Sequence, residues 1–205
     1  MASGDTDISI CSDALILLGA APISSFADGT DIAQACERLY PDLRDSLLAR
    51  YPWSWSYQKI KLARLAVVPD NEFRYSYQLP GDMLSGIRAI FADSSTNQLP
   101  VRYGWQIFGD QLYTNLETVY IDYQTSVAEE RMPAYFVRLL RTVLAAELGL
   151  VVTDQISKTD YFNSLSFGTP GENGRGGLFR EAMNVDSRGN SPQVIEDYSL
   201  IYVRG

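Results

Sequence analysis

The apolar residues of this chain change their spacing twice, and nothing else in the sequence limits the fold so much. From residue 7 to about residue 66 they recur at helical intervals. From 72 to 126 they alternate, and from 133 the helical interval returns. A period of about 3.6 places apolar residues in a stripe on a helix, and a period of about two places them on one face of a strand. The order predicts an α+β protein: an up-down helical bundle with an inserted small antiparallel β-module and an extended C-terminal arm. The expected divisions are residues 1–68 for the first part of the bundle and 69–126 for the β-module. Residues 127–190 give its second part, with a glycine-rich loop at 168–177, and residues 191–205 give a docking arm.

In the first helix, residues 7–18, Ile8, Cys11, Leu15 and Leu18 form one stripe. Ile10, Ala14 and Leu17 form a second beside it, so this helix belongs among others. Thr6 or Asp7 can cap its start, and Gly19 stands where a left-handed cap ends helices. A second helix, residues 31–50, follows a start signal at Asp28 or Thr30 and buries Cys36, Tyr40, Leu43 and Leu47. Pro41 inside it predicts a kink or a restart. Its end is an aromatic cluster, Tyr51, Trp53 and Trp55. These are expected to lock the turn into a third helix over 52–66, with Pro52 in its first turn. Arg44 and Asp45 lie off the stripe and are candidates for ion pairs within or between subunits. Arg138 and Arg141 are candidates for inter-subunit pairs on a helix beginning near Pro133, whose stripe is Phe136, Leu139, Leu140, Val143, Leu144 and Leu148.

Between them, residues 73–79 put Phe73, Tyr75 and Tyr77 on one strand face, and residues 85–91 make a second strand. Residues 101–108 and 111–115 flank a hairpin turn at Gly109-Asp110, and 118–124 closes a module of about four or five strands. Residues 154–167 read as a helix or a mobile segment, five glycines in 168–177 as a mobile loop, and 178–188 as helix. The final residues carry Val194, Ile195, Tyr198, Leu200, Ile201, Tyr202 and Val203. A tail this apolar has to lie along its own chain or a neighbour.

Chemistry is mostly excluded. There is no histidine, which removes the commonest general base, metal ligand and pH switch together. A net charge of −8, from 25 acidic and 17 basic residues, opposes non-specific nucleic-acid binding. Only Lys59, Lys61 and Lys158 are lysines, and the arginine bias suits interfacial ion pairs. Cys11 and Cys36 fall on apolar stripes and are expected as buried free thiols rather than a disulfide. The acidic start and the lack of about 20 consecutive apolar residues predict synthesis and use in a cytosol. Residues 28–31 are too short for a calcium loop, and the glycines at 168–177 lack the Gly-Lys-Ser/Thr of a phosphate cradle. Glu129 and Glu130 are the one pair of neighbouring acids at a structural junction, and they read as helix-start acids rather than a catalytic pair. No catalytic residue, metal or cofactor is expected, and the protein is not expected to be an enzyme. Tyr75, Tyr77 and Trp105 read as fillers of a sheet face. The alternative is a carbohydrate-binding or carbohydrate-active surface that uses Tyr103 and Trp105.

LGAAPISS at 18–25, followed by LYPDLRDSLLARYPWSW at 39–55, resembles the head–tail adaptor, or tail tubular protein A, family of short-tailed bacteriophages. LPGDML at 79–84 and TVYIDYQTSV at 118–127 are similar to that family's β-module, and the resemblance covers about residues 8–124. Beyond Thr153 the chain departs from the family's continuous last helix. The resemblance implies a structural connector made in the host cytoplasm and placed at the head–tail junction of the virion. Copies of it, about twelve, would form a closed ring. Its implied partners are other copies, the portal protein and the next tail or nozzle protein, with DNA passing through the channel without specific binding. It also implies that the C-terminal arm reaches along the portal.

Overall fold

The computed structural model describes residues 5–95 and 99–188. It is an α+β fold of five α-helices and two three-stranded antiparallel sheets. The expected C-terminal arm, with Val194 to Val203, lies outside the described residues.

α1 (Asp7–Leu18) starts on a capping box, with Thr6 Oγ1 accepting from the Ser9 N–H and Ser9 Oγ accepting from the Thr6 N–H. It stops at Gly19, whose φ of 81° is the left-handed conformation that glycine adopts without steric cost. α2 (Asp31–Arg50) is capped by Thr30. It runs through Pro41 without restarting. Pro41 and Glu37, whose carbonyl loses its helical donor, both lie on the exposed face, where water can satisfy that group.

The third helix expected over 52–66 does not form. Pro52 ends α2, with Tyr51 extended at φ −143° and ψ 145°, and residues 57–61 are then taken up as a strand by pairing with residues 120–124. A single 3-10 turn at Ser54–Ser56 then leads into β1 (Tyr57–Lys61). The strands that follow are β2 (Tyr75–Gln78), β3 (Ala89–Phe91), β4 (Trp105–Phe108), β5 (Gln111–Thr114) and β6 (Tyr120–Gln124). They form two sheets, β1-β6-β3 and β2-β5-β4, rather than one module of four or five strands. The β region thus begins at residue 57, not 69. Leu62, Tyr77, Leu79, Ile90, Leu112, Val119, Ile121 and Tyr123 make up a core that draws on both sheets.

A 3-10 turn at Glu129–Arg131 precedes α3 (Ala134–Thr153), whose predicted stripe is buried throughout. α4 (Ile156–Phe167) folds back along α3, and α5 (Gly177–Ser187) packs on both. All five helices contribute to a second core, which includes Cys11, Tyr40, Trp53, Met132, Phe162 and Phe179.

Residues 168–177 are a tight, ordered turn rather than a mobile loop. Thr169 and Glu172 form a capping box, and the Gly176 N–H donates to the Phe167 carbonyl. Gly177 has φ 52°, and a side chain there would run into the Leu165 carbonyl oxygen. Close backbone packing, not flexibility, calls for glycine at this position.

Candidate functional site

The aromatic cluster belongs to the helical core. Trp53 is completely buried, and its indole N–H donates to the Leu47 carbonyl at 3.0 Å. Its ring lies 4.8 Å from Tyr51, 5.1 Å from Phe136 and 6.0 Å from Phe179, all edge-on. Trp55 also meets Phe136 edge-on, at 5.0 Å. The cluster does lock a turn, but the turn leads from α2 into β1.

A buried polar junction continues this lock. Gln124, at the end of β6, places Nε2 within 2.6 Å of the Leu48 carbonyl, 2.9 Å of the Tyr51 carbonyl and 3.0 Å of Ser56 Oγ. Its Oε1 accepts from Ser85. One side chain therefore satisfies the carbonyls at the end of α2, where helices leave acceptors unpaired. Asp186 of α5 does the same for the 3-10 turn, accepting from the Ser54 N–H and hydroxyl and from the Tyr135 hydroxyl. Gln124→Leu should lower stability by about 3 kcal/mol, because each buried acceptor left unsatisfied costs about 1–3 kcal/mol. Urea unfolding would show this as a lower midpoint at unchanged slope.

The four candidate ion-pairing residues all find partners within the chain. Arg44 binds Asp45 and Glu129, each at 2.8 Å, and Glu129 also accepts from the Tyr40 hydroxyl. Glu129 is thus a structural anchor between α2 and the start of α3. Arg141 pairs with Asp13 at 3.2 Å, and Arg138 with Glu181 at 3.4 Å. Asp28 turns back onto the Ser24 and Ser25 N–H groups, which hold its carboxyl below the usual range. Cys11 and Cys36 are free, buried thiols. Their mutual hydrogen bond, together with burial, pushes the Cys11 thiol up.

Burial pushes the phenols of Tyr40, Tyr77, Tyr123 and Tyr135 above their ordinary value of 10.0. The fold therefore favours the neutral phenol. That stabilisation is complete below pH about 10 and is lost as pH rises through the folded-state values. Alkaline titration followed at the tyrosinate absorbance should show these phenols ionising in one cooperative step, together with loss of far-ultraviolet ellipticity.

One surface was missed by reading 52–66 as helix. On the outer face of β1-β6-β3, Lys59 lies 3.6 Å from the Phe91 ring centre, and Lys61 lies 6.0 Å from that of Tyr120. Arg88 lies 5.0 Å from Tyr57. Two of the three lysines of an acidic protein sit on this one face, with Asp122 opposite Lys59 at 3.6 Å. The signal was present in YQKIK, where Tyr57, Lys59 and Lys61 alternate with Gln58 and Ile60.

Large apolar side chains are exposed at the end of the helical body where α1 stops and α3 turns into α4. They include Ile16, Leu17, Leu150, Val151 and Ile156, the last 67 % exposed. Lys158 ties this end together by donating to the Leu18 carbonyl. In the sheets, Tyr77 is buried with its hydroxyl on the Leu116 carbonyl. Tyr75 and Trp105 pack on the same core, and the Trp105 indole N–H is bound to the Val101 carbonyl. Only Tyr103 of that aromatic set is fully open to solvent. Among the described residues no group of three or more His, Cys, Asp or Glu is placed to hold a metal ion, and no helix is long and apolar enough to cross a membrane.

Compared with protein-family models and with curated protein sequences, the chain matches none at a significant level.

Proposed function

We propose that the chain is a non-enzymatic head-to-tail connector subunit of a bacteriophage. Copies form a ring below the portal that continues the DNA channel and carries the next tail protein. The observation that carries this reading is the exposed apolar end of the helical body, formed by Ile16, Leu17, Leu150, Val151 and Ile156. Large exposed apolar side chains gathered at one end of a helical body suit protein–protein contact. A neighbouring copy or the portal would cover it. The resemblance of residues 8–124 to the adaptor family supports the same reading, as does the rigid joint at Trp53 and Gln124, which would hold the subunit's two cores at one angle around a ring. The acidic balance suits a channel through which DNA slides, because a basic lining would bind phosphates. The subunit would be made in the host cytoplasm and end at the head–tail junction of the virion.

Electron microscopy of the protein mixed with capsids that carry a portal but no tail tests the reading. Ring-shaped density directly beneath the portal is expected. A dispersed monomer with no affinity for the portal would overturn the proposal.

A further inference from the structure

The segment between β1 and β2 borders a cleft. Arg64 pairs with Tyr77, and the Leu65 N–H donates to the Ser76 carbonyl, so the chain leaves the sheets only after Leu65. It returns at Phe73, which is buried. Between these points residues 66–71 form a strap beside the outer face of β2-β5-β4. Tyr77 and Leu112 lie opposite each other and point into the core between the sheets. Side chains alternate along a strand, so Ser76, Gln111 and Tyr113 face outward, toward the strap. The cleft between them has a volume of about 510 Å³, inside the range of about 300–1,000 Å³ common for small-molecule sites.

Its two walls differ in chemistry. The strap contributes Val67, Val68 and Pro69, with the valines 77 % and 74 % exposed. The sheet contributes an aromatic ring, a hydroxyl and an amide, from Tyr113, Ser76 and Gln111. Tyr113 is held in place, since its hydroxyl donates to Gln111 Oε1 at 2.9 Å and Phe108 meets its ring edge-on at 5.5 Å. At the end of the strap, Asn71 Oδ1 accepts from the Phe73 N–H. The side-chain NH2 groups of Gln111 and Asn71 have no hydrogen-bond partner among the described residues, and Asp70 adds an acceptor. No lysine or arginine lines this cleft, because Arg64 and Arg74 line a neighbouring hollow instead. A fitting ligand therefore has apolar C–H faces, several hydroxyls and no negative charge, which Asp70 would oppose. A sugar ring meets all three conditions.

We propose that this cleft binds a neutral oligosaccharide. The Tyr113 ring and the strap valines pack against the C–H faces of the sugar rings, and Ser76, Asp70, Asn71 and Gln111 take their hydroxyls. The site is not the pair Tyr103 and Trp105 that the sequence suggests for a sugar, since Trp105 packs on the core with its indole N–H on the Val101 carbonyl. It is also independent of the connector reading.

Amide NMR spectra of the isotope-labelled full chain, titrated with maltotriose, cellotriose and chitotriose, test it. At least one of the three should shift the amides of Ser76, Gln111 and Tyr113 saturably, at millimolar concentration or below. Tyr113→Ala should weaken that binding about tenfold or more. Val68→Asp, a change on the exposed strap that leaves the sheets intact, should also weaken it and keeps the test valid if the tyrosine variant unfolds. Tyr103→Ala should bind as the unaltered chain does, and tri-galacturonate, which carries carboxylates, should not bind in the cleft. The proposal is overturned if none of the three neutral sugars gives a saturable shift, or if the shifts centre on Tyr103. Unchanged affinity in folded Tyr113→Ala or in Val68→Asp would overturn it too, as would tighter binding of tri-galacturonate.

Discussion

Replacing Trp53 with Ala should destabilise the protein by about 3–5 kcal/mol, the range for deleting a large buried aromatic. Domains of this kind are stable by only about 5–15 kcal/mol, so the variant would sit near the limit of folding. The loss has three sources. A completely buried indole leaves a cavity between Tyr51, Phe136 and Phe179. Three edge-on ring contacts disappear, each contributing about 0.5–1.5 kcal/mol beyond burial. The Leu47 carbonyl loses its donor. Trp53→Phe keeps the ring contacts but not the N–H, and should recover most of the loss. Denaturant unfolding separates the cases. A change below about 1 kcal/mol for the alanine variant would mean that the joint between α2 and β1 does not depend on this side chain.

Deleting residues 191–205 should leave the fold intact and abolish attachment to the portal. The first half of this expectation rests on the described residues. Both cores close without the tail, and α5 is held by Asp186 and by Phe179 against Trp53. Thermal unfolding of the truncated protein should therefore remain cooperative. The second half rests on the connector reading, in which the apolar arm attaches the subunit to the portal. A truncated protein that still builds rings on portals would refute the attachment role and leave the remainder of that reading standing. Unfolding of the truncated protein would instead show that the tail belongs to a core.

The helices were legible where a wide apolar stripe was long or coincided with a cap. α1 and α2 show the cap with Thr6 and Thr30, and α3, which has no side-chain cap, shows the stripe alone from Phe136 to Leu148. The stretch 52–66 misled because Trp55, Ile60, Leu62 and Leu65 satisfy a helical spacing, while the alternation from Tyr57 to Lys61 is only one strand long. Glycines in 168–177 suggested mobility because composition cannot show that Glu172 folds back to the Thr169 N–H. The pairings that hold the molecule together were beyond reach of any local pattern. Asp186 meets Ser54 across 132 positions, and Gln124 meets Leu48 across 76. The candidate interaction surfaces were correspondingly hidden, since the cationic face exists only once β1 is seen to pair with β6.

The pairing of β1 with β6 has a consequence for how such a chain can diversify. The polypeptide leaves the helical body at Ser56 and re-enters it at Thr125, and these two residues are hydrogen-bonded at 3.0 Å. Everything between them is held to the helical body by this pair, by the Gln124 side chain on the Leu48 and Tyr51 carbonyls and by Leu84 against the helical core, so the sheets form a cassette. Strands and loops inside it can lengthen, shorten or be exchanged for another design while every helix keeps its neighbours. A lineage can therefore change what this end of the molecule touches while the helical scaffold stays fixed.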